Sequence, residues 1–345
     1  LPPKKLFDSL TNSGHPDILL NSEIRDFTAM KYLVMGTGAL GTVFGGLLRH
    51  AGCPVSFLGR GAHFAQLRNR GGLIDGIWGK FPLEPVASPR PGEIYDIVLL
   101  CVKSFDTAQA VSQAAPWLAP DGLVISLQNG LGNVEAIAQT CGGRRTIGGR
   151  VIFGAQVKAP GQVTVTVYAD RVLLGAIDPE APLEKLDKVV DHFNRAGIPT
   201  ARVPDILTHI WDKVLYNCAL NPLGAILAVP YGALGEHAQT RELMRLIIEE
   251  IYQVAGAKGI SLTFPTADLY FRHFLEVLVP PTAAHWPSMW QDLKAGRRTE
   301  IEALNGAICR YAQEVGLKTP YNEAVSRLVR FLENQKPERK TLPGA

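Results

Sequence analysis

The sequence predicts an α/β N-terminal domain with added antiparallel strands, followed by an all-helical C-terminal domain. Three observations predict it. Short apolar runs alternate with longer amphipathic stretches over the first half of the chain, at 31–35, 55–58, 96–102 and 123–127, as in a parallel sheet covered on both faces. The first run leads directly into the glycine-rich segment Gly36-Thr37-Gly38-Ala39-Leu40-Gly41. From Asp205 onward the apolar residues recur at helical spacing instead.

The strand at 31–35 precedes a helix at 39–51, and a second strand covers 55–58. A glycine run between a strand and a helix presents unpaired backbone N–H groups to a dinucleotide pyrophosphate. Gly38 lets the backbone approach the phosphates and Gly41 lets helix and strand pack closely, so the domain is of the Rossmann type. An NAD-binding version carries an acid near the end of the second strand. Here the residues are Leu58-Gly59-Arg60-Gly61, with no acid. Arg60 suits a 2′-phosphate and favours NADPH over NADH. The alternative is a solvated surface arginine.

The strand at 96–102 is nearly all apolar, as a central strand should be, and delivers Lys103 at its carboxyl end. The strand at 123–127 delivers Gln128-Asn129-Gly130 at its own. Ligands bind beyond the carboxyl ends of such strands, so Lys103 and Asn129 belong where cofactor and substrate meet. The runs 151–153, 162–167 and 171–174, with a turn at Pro160-Gly161, predict antiparallel strands that extend the sheet. A helix over 183–196 leads to the domain junction.

In the second domain, Ile206, Ile210, Trp211, Val214 and Leu215 form an apolar helix face. Lys213, Asn217 and Asn221 stack beside it at intervals of four, and Pro222 is expected to break the helix. Such a polar row needs partners if it is buried, and a ligand would supply them; a solvated stripe is the alternative. Helices are expected over 241–258, 269–279 and 321–332, one from Pro287 or Ser288, and one opening near Thr299.

The 345 residues suit two domains, residues 30–200 and 201–334, with a leader at 1–29 and a flexible tail at 335–345. The leader lacks a secretory signal pattern. Met30 precedes the first strand, so the leader is either an upstream extension or an arm packed on the domain. A formal charge of +3, from 35 basic and 32 acidic residues, gives no support for nucleic-acid binding. No apolar run is long enough to span a membrane. The five cysteines are scattered without a CxxC pair, which fits a reducing, cytoplasmic setting. Eight histidines lie apart with no HExxH pattern, so no metal site is expected.

In order and spacing, Gly36–Gly41, Arg60, Lys103, Gln128-Asn129-Gly130, Lys213 with Asn217 and Asn221, and Ser288-Met289 followed by Arg298-Thr299-Glu300-Ile301-Glu302 resemble the ketopantoate reductases (2-dehydropantoate 2-reductases). The resemblance runs over about 31–332 and leaves the leader outside. It implies a Rossmann-type domain joined to a helical domain with the active site in the cleft, and NADP(H) as cofactor. Gly36, Thr37, Gly38, Ala39, Leu40 and Gly41, with Arg60, Lys103 and Asn129, would bind the cofactor. Lys213 would be the catalytic lysine and Glu300 its acidic partner, with Asn129, Asn217, Asn221 and Ser288 binding substrate. A lysine of ordinary pKa, about 10.4, keeps its proton at neutral pH and suits the acid in a ketone reduction. The implied reaction reduces 2-dehydropantoate to pantoate, within pantothenate and CoA biosynthesis. The alternatives are another 2-keto acid, or an NADP(H)-binding regulator without turnover. Both a homodimer and a monomer fit the resemblance.

Overall fold

The computed structural model describes residues 29–335. The expectations for the leader and the tail fall on residues 1–28 and 336–345, outside that range. By their contacts the described residues form two compact units. One contains the residues up to Gln128 and Asn133–Ile206; the other contains Asn129–Gly132 and the residues from Leu207 onward.

In the first unit the chain runs β1 (Tyr32–Met35), α1 (Ala39–His50), β2 (Val55–Leu58), α2 (Gly61–Arg70), β3 (Gly72–Gly76), β4 (Phe81–Leu83) and β5 (Tyr95–Leu100). It continues through a 3₁₀ turn (Ser104–Asp106), α3 (Thr107–Ala114), β6 (Leu118–Ser126), α4 (Asn133–Cys141) and β7 (Thr146–Arg150). It closes with β8 (Phe153–Ala159), β9 (Gln162–Tyr168), β10 (Val172–Ala176), α5 (Leu183–Arg195) and β11 (Thr200–Arg202). The main sheet has the order β11-β10-β7-β6-β5-β1-β2. From β7 to β2 every neighbour is parallel, while β10 meets β7 antiparallel. All four residues of β1 are buried, as a central parallel strand requires.

The expected extension of this sheet needs two corrections. The strands β8 and β9 do not join it; they build a second sheet of order β4-β3-β9-β8. β9 lies parallel to β3, a pairing between distant segments that local periodicity cannot show. The strand expected over 151–153 instead ends at Arg150, and Phe153 starts β8. Its sequence, Thr-Ile-Gly-Gly-Arg, has weak strand propensity, but burial on both faces overrides it. Helix α1 packs against the second sheet and α5. Its Phe44 ring lies 5.5 Å from that of Phe153 and 5.2 Å from that of Phe193.

The second unit is a helical bundle. It contains α6 (Ile206–Leu227), α7 (Tyr231–Glu236), α8 (Ala238–Ala257), α9 (Ala267–His273), α10 (Ser288–Lys294), α11 (Asn305–Glu314) and α12 (Pro320–Asn334). Trp211, Leu215, Ile247, Ile251, Phe274, Ile308 and Val329 share its core. The apolar run expected as one helix over 269–279 divides, with α9 passing into a π turn at Phe274–Leu278. The helix expected near Thr299 begins only at Asn305. Leu304 has a ψ of −112°, which separates α11 from a short 3₁₀ turn at Ile301–Ala303.

Pro222 does not break its helix. It lies inside α6, which continues to Leu227. Proline lacks the N–H that would bond the carbonyl four residues earlier, at Cys218. The Asn305 side chain supplies the missing donor, its Nδ2 lying 3.1 Å from the Cys218 oxygen. No helix among the described residues is long and apolar enough to cross a membrane.

Candidate active site

In the first unit β1 lies between β2 and β5, so the chain leaves it toward both sides of the sheet. The carboxyl ends of β1 and β5 thus form the switch point where such sheets bind ligands. Each glycine of the loop after β1 answers a different demand. Gly36 has a φ of +97°, and a Cβ there would lie 2.6 Å from the Val102 nitrogen. A Cβ on Gly41 would lie 1.9 Å from the Gly36 carbonyl oxygen, so the first turn of α1 rests on the loop. Gly38 needs neither freedom: its φ is −70°, and nothing lies within 4 Å of where its Cβ would stand. That open space borders the start of a 12-residue helix with no acid in its first turn and no side-chain cap. Its N–H groups fit a phosphate.

The neighbouring loops press on this cradle. Thr37 is buried, and a Cβ on Gly59 would lie 2.0 Å from its Oγ1. His63 Nδ1 accepts from the Gly161 N–H at 3.0 Å, which leaves the proton of a neutral ring on Nε2, 3.1 Å from Thr42 Oγ1. The Thr42 hydroxyl in turn donates to the Thr37 carbonyl. Burial holds the His63 pKa below its ordinary value, in keeping with the neutral ring. Lys103 is half-buried and opens the 3₁₀ turn after β5. Gln128 Nε2 fastens that turn by donating to the Val102 carbonyl at 3.0 Å and to Thr107 Oγ1 at 2.7 Å. Arg60, at the start of α2, is exposed and pairs with Asp106 at 2.6 Å.

In the second unit α6 carries Lys213, Asn217 and Asn221 on one side. The solvated-stripe alternative does not hold for the asparagines: Asn217 is 7% and Asn221 6% exposed. The Tyr231 hydroxyl donates to Asn221 Oδ1, which turns the Asn221 amide N–H₂ away from Tyr231. Burial pushes the Tyr231 phenol far above its ordinary pKa, so it remains a donor. Lys213 Nζ donates to Asn129 Oδ1 at 2.5 Å.

That contact depends on the 129–132 loop joining this unit. The Leu131 N–H donates to the Ala303 carbonyl at 2.8 Å. Gly130 has a φ of +84°, and a Cβ there would lie 2.4 Å from the Ala303 oxygen. The same turn holds Glu300, whose carbonyl accepts from the Ala303 N–H at 3.0 Å and which is 9% exposed. Lys213, Asn129, Glu300 and the two asparagines therefore belong to one unit. Ser288 starts the seven-residue α10 and is exposed. Sequence reasoning passed over Tyr231, Asp106 and Asn305. A tyrosine just after a proline, an acid in a turn and an asparagine at a helix start all look ordinary until their partners are known. Among the described residues no His, Cys, Asp and Glu cluster suits a metal ion.

A glycine loop fit for a phosphate after the first strand of a mixed α/β sheet, and a helical unit in which half-buried Lys213 stands in line with buried Asn217 and Asn221, suit a dinucleotide-dependent oxidoreductase. The family profile described as "Ketopantoate reductase PanE/ApbA" matches residues 32–179, and its C-terminal counterpart matches residues 205–333. The 2-dehydropantoate 2-reductase of Aquifex aeolicus is 38% identical over 309 residues, covering 88% of this chain and 97% of that protein. That of Pyrococcus horikoshii is 34% identical over 306 residues, covering 88% and 98%. Among solved structures, a PanE/ApbA family ketopantoate reductase from Ralstonia eutropha superposes with a TM-score of 0.78 at 30% identity, covering 88% of this chain and 98% of that one. A D-mandelate dehydrogenase with NADH and anilino(oxo)acetate does so at 0.80 and 26%, with the same coverage. The chain belongs to the ketopantoate reductase family. Reductase chemistry and a nicotinamide dinucleotide follow at the level of the family.

Proposed function

We propose that this protein reduces 2-dehydropantoate to pantoate with NADPH, in the cytoplasm, as a step toward pantothenate and CoA. The observation that supports it most is Lys213, half-buried, held at 2.5 Å by Asn129 and standing in line with the buried Asn217 and Asn221. In this reading bound NADPH supplies the hydride that reaches the keto carbon. Negative charge then builds on the keto oxygen, and the Lys213 ammonium stabilises it and gives it a proton. The neutral amine regains its proton from solvent. Asn129 holds the lysine in place, and Glu300 orients it or accepts from the new hydroxyl. Asn217 and Asn221 can donate and accept, which suits a hydroxyl beside a carboxylate. Ser288 adds a hydroxyl for the same carboxylate. Gly36–Gly41 would cradle the pyrophosphate, with Lys103 and Arg60 as the cationic contacts.

A second reading keeps the chemistry and changes the acid. The similarity to D-mandelate dehydrogenase, whose structure holds NADH and anilino(oxo)acetate, favours it. The test is NADPH oxidation with 2-dehydropantoate, oxaloacetate, pyruvate and 2-ketoisovalerate. Preferred turnover of the first supports the proposal. Preferred turnover of another acid replaces it with the second reading. NADPH binding with no turnover of any acid points to a regulator.

A further inference from the structure

Arg60 does not wait for its phosphate unaccompanied. It follows β2, while Asp106 closes the turn after β5, and these two strands flank β1. Two strand spacings separate them, about 9.6 Å, yet their side chains meet at 2.6 Å. The ion pair therefore reaches across the carboxyl end of β1, beside the glycine loop. Asp106 is placed there by a fastened turn. Its N–H donates to the Lys103 carbonyl at 2.8 Å, and Thr107 beside it takes the Gln128 bond at 2.7 Å. Asp106 makes no side-chain capping bond to α3, so its carboxylate is not needed to start that helix.

We infer that Asp106 sets the cofactor preference, acting as a built-in stand-in for the 2′-phosphate on Arg60. This rests on the reading of Arg60 as the 2′-phosphate contact. A phosphate arriving at Arg60 must displace a carboxylate already bonded to it and then lie beside that negative charge. A cofactor with a plain 2′-hydroxyl meets neither obstacle, and the carboxylate can accept from that hydroxyl. The acid missing after β2 is thus supplied from after β5. The chain keeps a route to NADH, and its selectivity for NADPH is held below what Arg60 alone would give. The effect is modest because the arginine is 82% exposed. Loss of an exposed pair and of one repulsive charge in water amounts to about a fivefold to tenfold change.

The experiment is titration of the whole protein with NADPH and with NADH, for wild type, D106N and R60A. The neutral, isosteric D106N should bind NADPH about fivefold to tenfold more tightly and NADH no better than wild type. The ratio of the two dissociation constants then shifts toward NADPH by at least about threefold; any smaller shift, or one toward NADH, overturns the inference. D106S, checked by circular dichroism, repeats the measurement should D106N fold poorly. R60A separates this from the reading beneath it. Equal weakening of both cofactors in R60A defeats the 2′-phosphate role of Arg60. Selective loss of NADPH in R60A with no response in D106N defeats only the role of Asp106.

Discussion

Replacing Asn305 by alanine tests how α6 carries its polar row past a proline. Asn305 is fully buried. Its Nδ2 donates to the Cys218 carbonyl at 3.1 Å and to Asn322 Oδ1 at 3.0 Å. Asn322 Nδ2 is itself bound to Glu250 at 2.7 Å and to the Ile247 carbonyl at 3.2 Å. N305A leaves two buried acceptors without this donor, and each costs about 1–3 kcal/mol. One offset exists, because Asn305 Oδ1 is buried with no hydrogen-bond partner and its removal relieves a desolvated atom. The net expectation is a loss of about 2–4 kcal/mol. The assay is urea unfolding followed by tryptophan fluorescence, fitted to the transition of the second unit. The decisive comparison repeats N305A in a P222A background, where residue 222 regains an N–H for the Cys218 carbonyl. The loss should there be smaller by about 1–2 kcal/mol. Equal losses in both backgrounds, within about 0.5 kcal/mol, would refute the account of Asn305 as the replacement donor.

Lys213→Ala should lower kcat by about 10²–10⁴ and leave NADPH affinity nearly unchanged; a matching fall in NADPH affinity would remove the lysine from the chemistry. Gly41→Ala and Gly38→Ala should separate fold from ligand. The first forces a methyl to 1.9 Å from the Gly36 oxygen and lowers the melting temperature. The second enters open space at an ordinary φ, so it keeps the melting temperature while weakening NADPH by about tenfold, and the opposite pattern would defeat the cradle. Burial holds the His63 and His285 pKa values below the ordinary one, so both favour the neutral form in the fold. As pH falls through about 6.5 the unfolded chain takes up protons that the folded chain does not, and stability declines. Glu93 and Glu302, depressed mainly by bonds from Tyr95 and Arg330, contribute stability that is present above about pH 4.5 and lost only as pH falls below it, outside that window. Replacing both histidines should flatten the change in urea midpoint between pH 7 and 5.5, and an unaltered slope would exclude them as its source.

Much of the fold could be read from local pattern. The strand at 55–58 and the helix start at Ala39 coincide with β2 and α1, because buried Val55 and Phe57 alternate with less buried neighbours and the glycine turn marks where α1 begins. The second sheet escaped notice. β3 and β4 carry glycines and a proline; β4 pairs with β3, and β3 is held by β9 almost ninety residues further on. Pro222 misled for a related reason. The rule that proline ends a helix assumes that no one else serves the freed carbonyl, and Asn305 does so from another helix. At the site, four-residue spacing placed Lys213, Asn217 and Asn221 together correctly on one helix. Spacing could not show that Asn129 reaches Lys213 within the helical unit.

By itself the sequence determined what is local: the glycine loop behind a buried strand, the arginine where an acid would stand, and the polar row along one helix. These follow from chain geometry, since steric limits and helical period act between near neighbours. The tertiary structure alone decided the partners. It set Asp106 against Arg60, Tyr231 against Asn221 and Asn305 against the Cys218 carbonyl. Each joins segments whose meeting depends on how sheets and helices pack, and packing is a property of the whole core.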